Sequence, residues 1–122
     1  MGFALAVDGC ELEDVIGGGT VEVKSDPSDK VLADGKGVFF GTINIEVSGS
    51  DGGGAFTDGN GYGVGTLTGT GTNVCDADGQ PAVLEEDSTT VVVNGTSSGY
   101  TQPPATVTVK VTKAGQDKVI AL

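Results

Sequence analysis

Few residues in this chain are of the types that carry out chemistry. The sequence has no histidine, and all six of its basic residues are lysines. Histidine is the usual general base at neutral pH, and arginine is a usual partner of a transferring phosphoryl group. The serines and threonines have no base of this kind near them in the sequence. We therefore expect a protein that is not an enzyme and has no small-molecule substrate, with an enzyme fragment as a weaker alternative.

One acidic segment has the spacing of a calcium loop. Asp76 and Asp78 alternate with other residues, and Asp87 stands at the twelfth position. Such a loop needs glycine at its sixth position, where this chain has Pro81. A tight turn with solvated aspartates is therefore predicted, and we expect no metal and no cofactor. A calcium-dependent β-roll is kept as a weaker alternative.

The chain has two cysteines, Cys10 and Cys75. They could be buried thiols, form one disulfide, or bond to neighbouring subunits. Two cysteines without histidine do not complete a tetrahedral zinc site unless carboxylates or other chains contribute.

The charge of the chain narrows the range of partners. The net charge is −11, and no lysine lies between Gly37 and Val109. Phosphate contacts need clustered cations, so neither nucleic acid nor an anionic membrane surface is an expected partner. Residues 1–8 lack the basic start of a signal peptide, and no apolar run approaches the roughly 18 residues of a membrane span. We expect synthesis in the cytoplasm without a signal peptide.

The elements that position these residues are predicted to be β-strands. Thr20–Lys24, Thr42–Ser48 and Thr106–Thr112 alternate apolar and polar residues, and no segment has a sustained helical period. With 22 glycines and six aromatic residues among 122, the core must be thin. The sequence predicts one all-β domain over residues 1–122. It should be a small, compact β-hairpin or β-sandwich-like body with essentially no helix and long Gly-rich loops at 49–65 and 94–101.

Two stretches, 31–49 and 75–95, read alike at an offset of roughly 44 residues. Each has an Asp-Gly turn, Asp34-Gly35 or Asp78-Gly79, followed by a β-rich run that ends in glycine. Two copies are too few for an open solenoid, so an internal duplication packed within one body is predicted.

Several of these segments carry a family resemblance. The order of Asp78–Leu84, an acidic turn and Val91–Gly95 resembles the PAAR-like spike-tip proteins of contractile tails. Residues 107–111 and 114–119 are similar to the closing strands of small members. Standard members hold a zinc ion near the apex with histidines and a cysteine. This chain has no histidine and is similar to the divergent branch, so that metal site is not carried over.

The resemblance implies a tapered structural protein that caps a trimeric β-helical spike. Its partner would be the spike or hub protein of a tail baseplate, and it would meet the target cell envelope transiently. It would be located at the tail tip of a virion or in a contractile injection particle, and the choice among phage tail, extracellular injection system and type VI secretion stays open. The residues implied for the turn framework are Asp34, Gly35, Asp78, Gly79 and Pro81. The residues suggested for spike-facing strands are Val107, Val109, Val111, Val119 and Leu122.

A second function class is a surface binding or decoration module, either a β-sandwich adhesin or a virion decoration protein. The long loops at 49–65 and 94–101 would then be recognition loops. Copy number per particle distinguishes the two classes.

Overall fold

The computed structural model of the chain describes residues 3–121, and these residues contain fourteen β-strands and no helix. The strands are β1 (Phe3–Ala4), β2 (Glu11–Asp14), β3 (Thr20–Val23), β4 (Leu32–Ala33), β5 (Lys36–Gly37), β6 (Thr42–Ser50), β7 (Gly61–Thr68), β8 (Gly71–Cys75), β9 (Pro81–Ala82), β10 (Ser88–Val93), β11 (Thr96–Ser97), β12 (Tyr100–Thr101), β13 (Ala105–Lys113) and β14 (Ile120–Ala121). The all-β prediction is confirmed. Among these residues there is accordingly no helix that could span a membrane.

Six strands form one antiparallel sheet that nearly closes into a barrel. Their order is β10-β13-β2-β3-β6-β7. The last strand returns to the first through a bridge between Tyr62 and Asn94, whose backbone N–H groups each donate to the other's carbonyl oxygen at 2.9 Å. The predicted sandwich-like body is therefore made of opposite walls of a single sheet.

Period-two alternation determines which side chains fill the barrel. Along β6, Ile43, Ile45 and Val47 are buried, while the residues between them are more exposed. Neighbouring side chains of a strand point to opposite faces, so the valines and isoleucines meet inside. The barrel core contains the buried residues Ala6, Leu12, Phe39, Ile43, Ile45, Val47, Phe56, Leu67, Val83, Val91, Val93, Val107, Val109 and Val111.

The long loops are shorter than the sequence predicts. The irregular segment after β6 is 51–60 rather than 49–65, because β6 continues to Ser50 and β7 begins at Gly61. The second loop contains the hairpin of β11 and β12. Phe56 from the first loop belongs to the barrel core and is the largest of the fully buried side chains among the described residues.

A ring of three short segments, residues 4–8, 37–41 and 81–85, closes one end of the barrel. The Ala6 N–H donates to the carbonyl oxygen of Val83 (2.8 Å), the Val83 N–H donates to that of Phe39 (2.9 Å), and the Phe39 N–H donates to that of Ala6 (3.1 Å). The three bonds form a closed cycle, in which each segment donates one bond and accepts one.

A second set of three bonds links the same segments, with donors and acceptors running around the ring in the opposite direction. In each of these bonds, the donor lies two residues after Ala6, Phe39 or Val83, and the acceptor lies two residues before one of the same three residues. The bonds are Asp8 N–H to Gly37 O (2.9 Å), Gly41 N–H to Pro81 O (2.8 Å) and Glu85 N–H to Ala4 O (2.9 Å). The ring therefore has pseudo-threefold symmetry within a single chain.

The barrel repeats this symmetry. Each ring segment runs directly into the first strand of an antiparallel pair, β2/β3, β6/β7 or β10/β13. These three pairs follow one another around the sheet. The duplicated stretches of the sequence thus belong to two of three structural units, and the third unit joins the two ends of the described chain through β1 and β14.

The ring separates two cores. Ala6, Phe39 and Val83 belong to the barrel core, whereas the alternating residues Leu5, Val7, Val38, Ala82 and Leu84 belong to a second cluster. This second core packs beneath three two-stranded arms, β1/β14, β4/β5 and β8/β9. We call this side of the ring the arm end, and the opposite end, where the loops 15–19, 51–60 and 94–104 connect the paired strands, the loop end.

Candidate docking face

The arm end presents three short strand pairs around the pseudo-threefold axis. The inner strand of each arm is bonded to the ring through Ala4, Gly37 or Pro81, whereas the outer strand, β14, β4 or β8, pairs with no further strand among the described residues and so presents a strand edge. Large apolar side chains are exposed on two of the arms: Phe3 is 50% exposed, Leu32 57% and Ile120 48%. Open strand edges beside exposed apolar side chains are typical of a surface that pairs with another β-structure.

The turns of two arms contain the predicted framework residues. Asp34 and Gly35 both have positive φ, 53° and 77°, and connect the paired residues Ala33 and Lys36. Two successive positive φ values define a type I′ hairpin turn, for which Asp-Gly is a preferred sequence. The sequence signal and the observed turn agree at this arm.

The second arm has a longer turn. Cys75 pairs with Pro81, and the Asp76 carboxylate accepts the backbone N–H groups of Asp78 and Gln80, both at 2.9 Å. Gly79 has φ 79°. Asp76 is therefore a turn-capping residue, and Pro81 contributes its carbonyl oxygen to the ring.

Polar contacts at the arm end add to the apolar core that the arms share. The Lys36 ammonium donates to the carbonyl oxygen of Gly115 at 2.9 Å, and the Lys118 ammonium lies 3.9 Å from the Asp34 carboxylate. The Gln116 side-chain amide donates to the carbonyl oxygens of both Leu5 and Val119 at 2.9 Å. The arm that carries Asp34-Gly35 is thus tied to the segment that leads into β14.

The residues suggested for spike-facing strands lie in different places. Val107, Val109 and Val111 are fully buried in the barrel core, so their side chains cannot contact a partner and that part of the suggestion is corrected. Alternation identified the strand, but it did not tell which face of the strand lies inside. Val119 is 39% exposed at the arm end, and Leu122 lies outside the described residues.

Both cysteines are free thiols, so of the alternatives that the sequence left open, a disulfide between them is not formed. Cys10 is half-buried beside the barrel core, and burial, with the charge of Asp8 adding to it, raises the pKa of its thiol to about 11. Cys75 is exposed on β8, where its thiol donates to the carbonyl oxygen of Thr72 at 3.3 Å. The suggestion of buried thiols therefore applies in part to Cys10 and not to Cys75.

The loop end is held together by carboxylates. Asp14 is only 4% exposed and accepts hydrogen bonds from the backbone N–H of Gly17 (2.6 Å) and the hydroxyl of Ser50 (2.7 Å). Burial alone would raise the pKa of Asp14, but these bonds and those from Gly19 and Ile16 outweigh it, so the pKa lies below its usual value. Asp14 thereby joins the β2–β3 connection to the end of β6.

A second carboxylate connects the other two loops. The exposed Asp58 accepts hydrogen bonds from the Thr96 hydroxyl (2.5 Å) and from the backbone N–H groups of Ser98 and Gly99. The bond from the Thr96 hydroxyl is the main cause of the lowered pKa of Asp58. Within residues 3–121, no three histidine, cysteine, aspartate or glutamate side chains converge in a way that could hold a metal ion.

No family model, curated protein or solved structure matches this chain. The features of the site that can be assigned are therefore geometric: a pseudo-threefold ring, open-edged arms on one side of it, and a carboxylate-braced loop end on the other.

Sequence reasoning predicted neither the pairing that forms the third arm nor the role of Gln116. A signal for the third arm was present: the apolar runs Ala4–Val7, Val38–Phe40 and Pro81–Leu84 are each followed by Asp, Gly or Glu. Gln116 had no such signal, because nothing in its local sequence indicates that it clamps residues from both ends of the chain.

Proposed function

We propose that the protein is a non-enzymatic tip that caps a trimeric β-helical spike and leads it through a cell envelope when a contractile tail fires. The pseudo-threefold ring carries this proposal. A single chain that sits on the axis of a threefold trimer needs three similar contacts, one for each subunit. The ring and the barrel strand pairs supply that repetition in one chain.

The arm end is the side that docks. A β-helical trimer ends in open strand edges, and unpaired edges are satisfied by adding further strands. The arms offer such edges together with the exposed side chains of Phe3, Leu32 and Ile120. The loop end then points away from the spike and enters the envelope first. Hydrogen bonds to Asp14 hold its loops together, and the buried ring of Phe56 fills the barrel at this end.

The stoichiometry of the assembly tests the function. Native mass spectrometry of the chain co-expressed with the trimeric spike protein of the same tail should give one copy of this chain per three spike subunits. Quantification of intact particles should give one copy per tail. Three copies per trimer, or many copies spread over a particle surface, would contradict the proposal, and the latter would favour a decoration protein.

A matched pair of variants tests the orientation. Ile120→Asp changes an arm-end residue that is 48% exposed, and Ile16→Asp makes the same change at the loop end on a residue that is 52% exposed. We expect Ile120→Asp to weaken spike binding at least tenfold and Ile16→Asp to change it less than twofold. The reverse result would mean that the loop end docks, and would overturn the assignment of the arm end.

A further inference from the structure

The barrel wall has an opening between β2 and β3. The register between these strands contains a single pair, Glu13 with Thr20. Each strand is nevertheless well paired on its other side, β2 with β13 as far as Glu11 and β3 with β6 as far as Val23. Beyond the pair of Glu13 with Thr20, next to the turn that connects the two strands, no ladder joins their facing edges.

A slot of about 420 Å³ lies between the separated strands. We call it the β2/β3 slot, and its apolar lining is Cys10, Leu12, Val21, Val23, Pro27 and Phe39. Cys10, Val21 and Val23 pack against the barrel core and yet stay partly exposed. The barrel core is therefore accessible from outside along this line.

The edge that β3 presents to the slot is long enough to pair with a short extended segment. The four residues of β3 extend over about 13 Å at the rise of a β-strand. Backbone groups on the facing edges could form a ladder with an inserted strand, while alternate side chains of that strand fill the apolar floor.

The rim of the slot is acidic. Asp8, Glu22 and Asp26 line it. Lys24, which follows β3, lies 3.1 Å from the carboxylate of Glu22 and 3.9 Å from that of Glu46, so its charge is matched by carboxylates of the chain itself. The rim therefore keeps an excess of negative charge, which favours the binding of a cationic segment.

We propose that the β2/β3 slot binds an extended segment of another protein that alternates apolar with lysine or arginine residues and adds as a strand between β2 and β3. The apolar side chains enter the slot and the cationic side chains meet the acidic rim. The slot lies in the barrel wall, so this interaction is independent of spike docking and its outcome does not depend on that of the proposed function.

A peptide titration tests the proposal on the full chain. The probe is the blocked pentapeptide Val-Lys-Val-Lys-Val, added to the ¹⁵N-labelled protein and followed by amide chemical shifts. We expect saturable shifts confined to residues 8–14 and 20–27. The peptide with glutamate in place of lysine should bind at least tenfold more weakly, and one with N-methylated alternate amides should lose binding because it cannot donate to the strand edges.

A matched pair of variants checks the location. Val23→Trp fills the slot and should abolish the shifts, whereas Val92→Trp on the outer wall should leave them unchanged, with thermal melts establishing that both variants fold. Absence of saturable shifts, equal binding of the glutamate peptide, or shifts centred on the arms would each overturn the proposal. Concentration-dependent shifts of the same residues without peptide would identify a second copy as the occupant and would also overturn it.

Discussion

At the scale of single residues, Asp14 is a buried carboxylate at the loop end, and the surrounding backbone explains why it is tolerated there. A buried charge is costly unless hydrogen bonds replace its water shell. The carboxylate accepts backbone N–H groups from Ile16 (3.0 Å), Gly17 (2.6 Å) and Gly19 (3.2 Å) and the hydroxyl of Ser50 (2.7 Å). Every one of these groups is a donor, so the site is complementary to the ionised form.

We therefore expect Asp14→Asn to lower the free energy of unfolding by about 2–3 kcal/mol at pH 7, because the amide NH₂ group would face N–H donors. Urea unfolding measures this change. The pKa of Asp14 is lower in the folded chain than its ordinary value of 3.8. Its stabilisation is therefore complete well above pH 3.8 and declines as the pH falls through the lowered folded-state pKa. The difference between the wild type and Asp14→Asn should shrink below about pH 4.

The exposed Asp29 provides the control for this substitution. Asp29→Asn makes the same change of charge without a buried site and should alter stability by less than about 0.5 kcal/mol. Equal effects of the two substitutions would show that net charge rather than the local donors is responsible. A pH-independent difference for Asp14→Asn would show that the donors do not stabilise the ionised form of Asp14.

At the scale of elements, the seam between β7 and β10 determines whether the sheet closes. The two strands are joined by the bridge between Tyr62 and Asn94. In addition, glycines on β7 allow the backbones of β7 and β10 to approach closely. A Cβ on Gly63 would collide with the carbonyl oxygen of Val92, while a Cβ on Gly65 would meet a methyl group of Val91 at 2.9 Å. Gly63 thus faces backbone that cannot give way, whereas Gly65 faces a methyl group at a longer distance, which a smaller shift of the Val91 side chain relieves.

This contrast predicts unequal effects of the same substitution. Gly63→Ala should destabilise the fold by about 3 kcal/mol and Gly65→Ala by about 1 kcal/mol, since overpacking against backbone cannot relax. Denaturant unfolding gives the two values. Hydrogen exchange of the β10 amides should accelerate more in Gly63→Ala. Similar losses in both variants would mean that the close contact at Gly63 does not hold the seam.

The sequence predicted elements well where a local pattern dictates them. Alternation identified the strands around Thr20–Val23, Thr42–Ser50 and Ala105–Lys113, and Asp34-Gly35 identified its hairpin. The β7/β10 seam could not be predicted in this way. Glycines at 61, 63 and 65 indicate a loop when considered alone. Their stabilising role, which is to let the backbone of β10 approach, is visible only when the neighbouring strand is known. At the candidate docking face, the sequence predicted the Asp34-Gly35 turn. It did not predict that the valines of β13 are buried, because alternation does not determine which face of a strand packs against the core.

At the scale of the whole molecule, the chain closes on itself. The third arm pairs Phe3 with Ala121, residues from opposite ends of the described chain. The two units that are continuous in the sequence are therefore visible as a linear repeat, whereas the third unit is divided between the two ends of the described chain and is not. The pseudo-threefold symmetry on which the proposed function rests is thus a property of the folded chain, with only short apolar runs as its trace in the sequence.

The acidic charge also acts on the molecule as a whole. The net charge is −11, whereas the ion pairs among residues 3–121 involve exposed or half-exposed side chains, each worth about 0–1 kcal/mol. Salt weakens those few attractions, but it also screens the repulsion among the excess carboxylates, which are spread over the surface. Because repulsion involves more pairs of charges, its screening should dominate.

We therefore expect the melting temperature at pH 7 to rise by about 5 °C between roughly 20 and 300 mM NaCl, as the screening length shortens. Choline chloride at the same ionic strength should give an equal rise, because screening does not depend on the identity of the cation. Calcium chloride at matched ionic strength should add nothing further, since the Asp76 carboxylate is already engaged by backbone N–H groups of its own turn. A substantially larger rise with calcium would mean that the acidic turns bind the ion, and the molecule would then be stabilised by a specific ligand rather than by relief of repulsion.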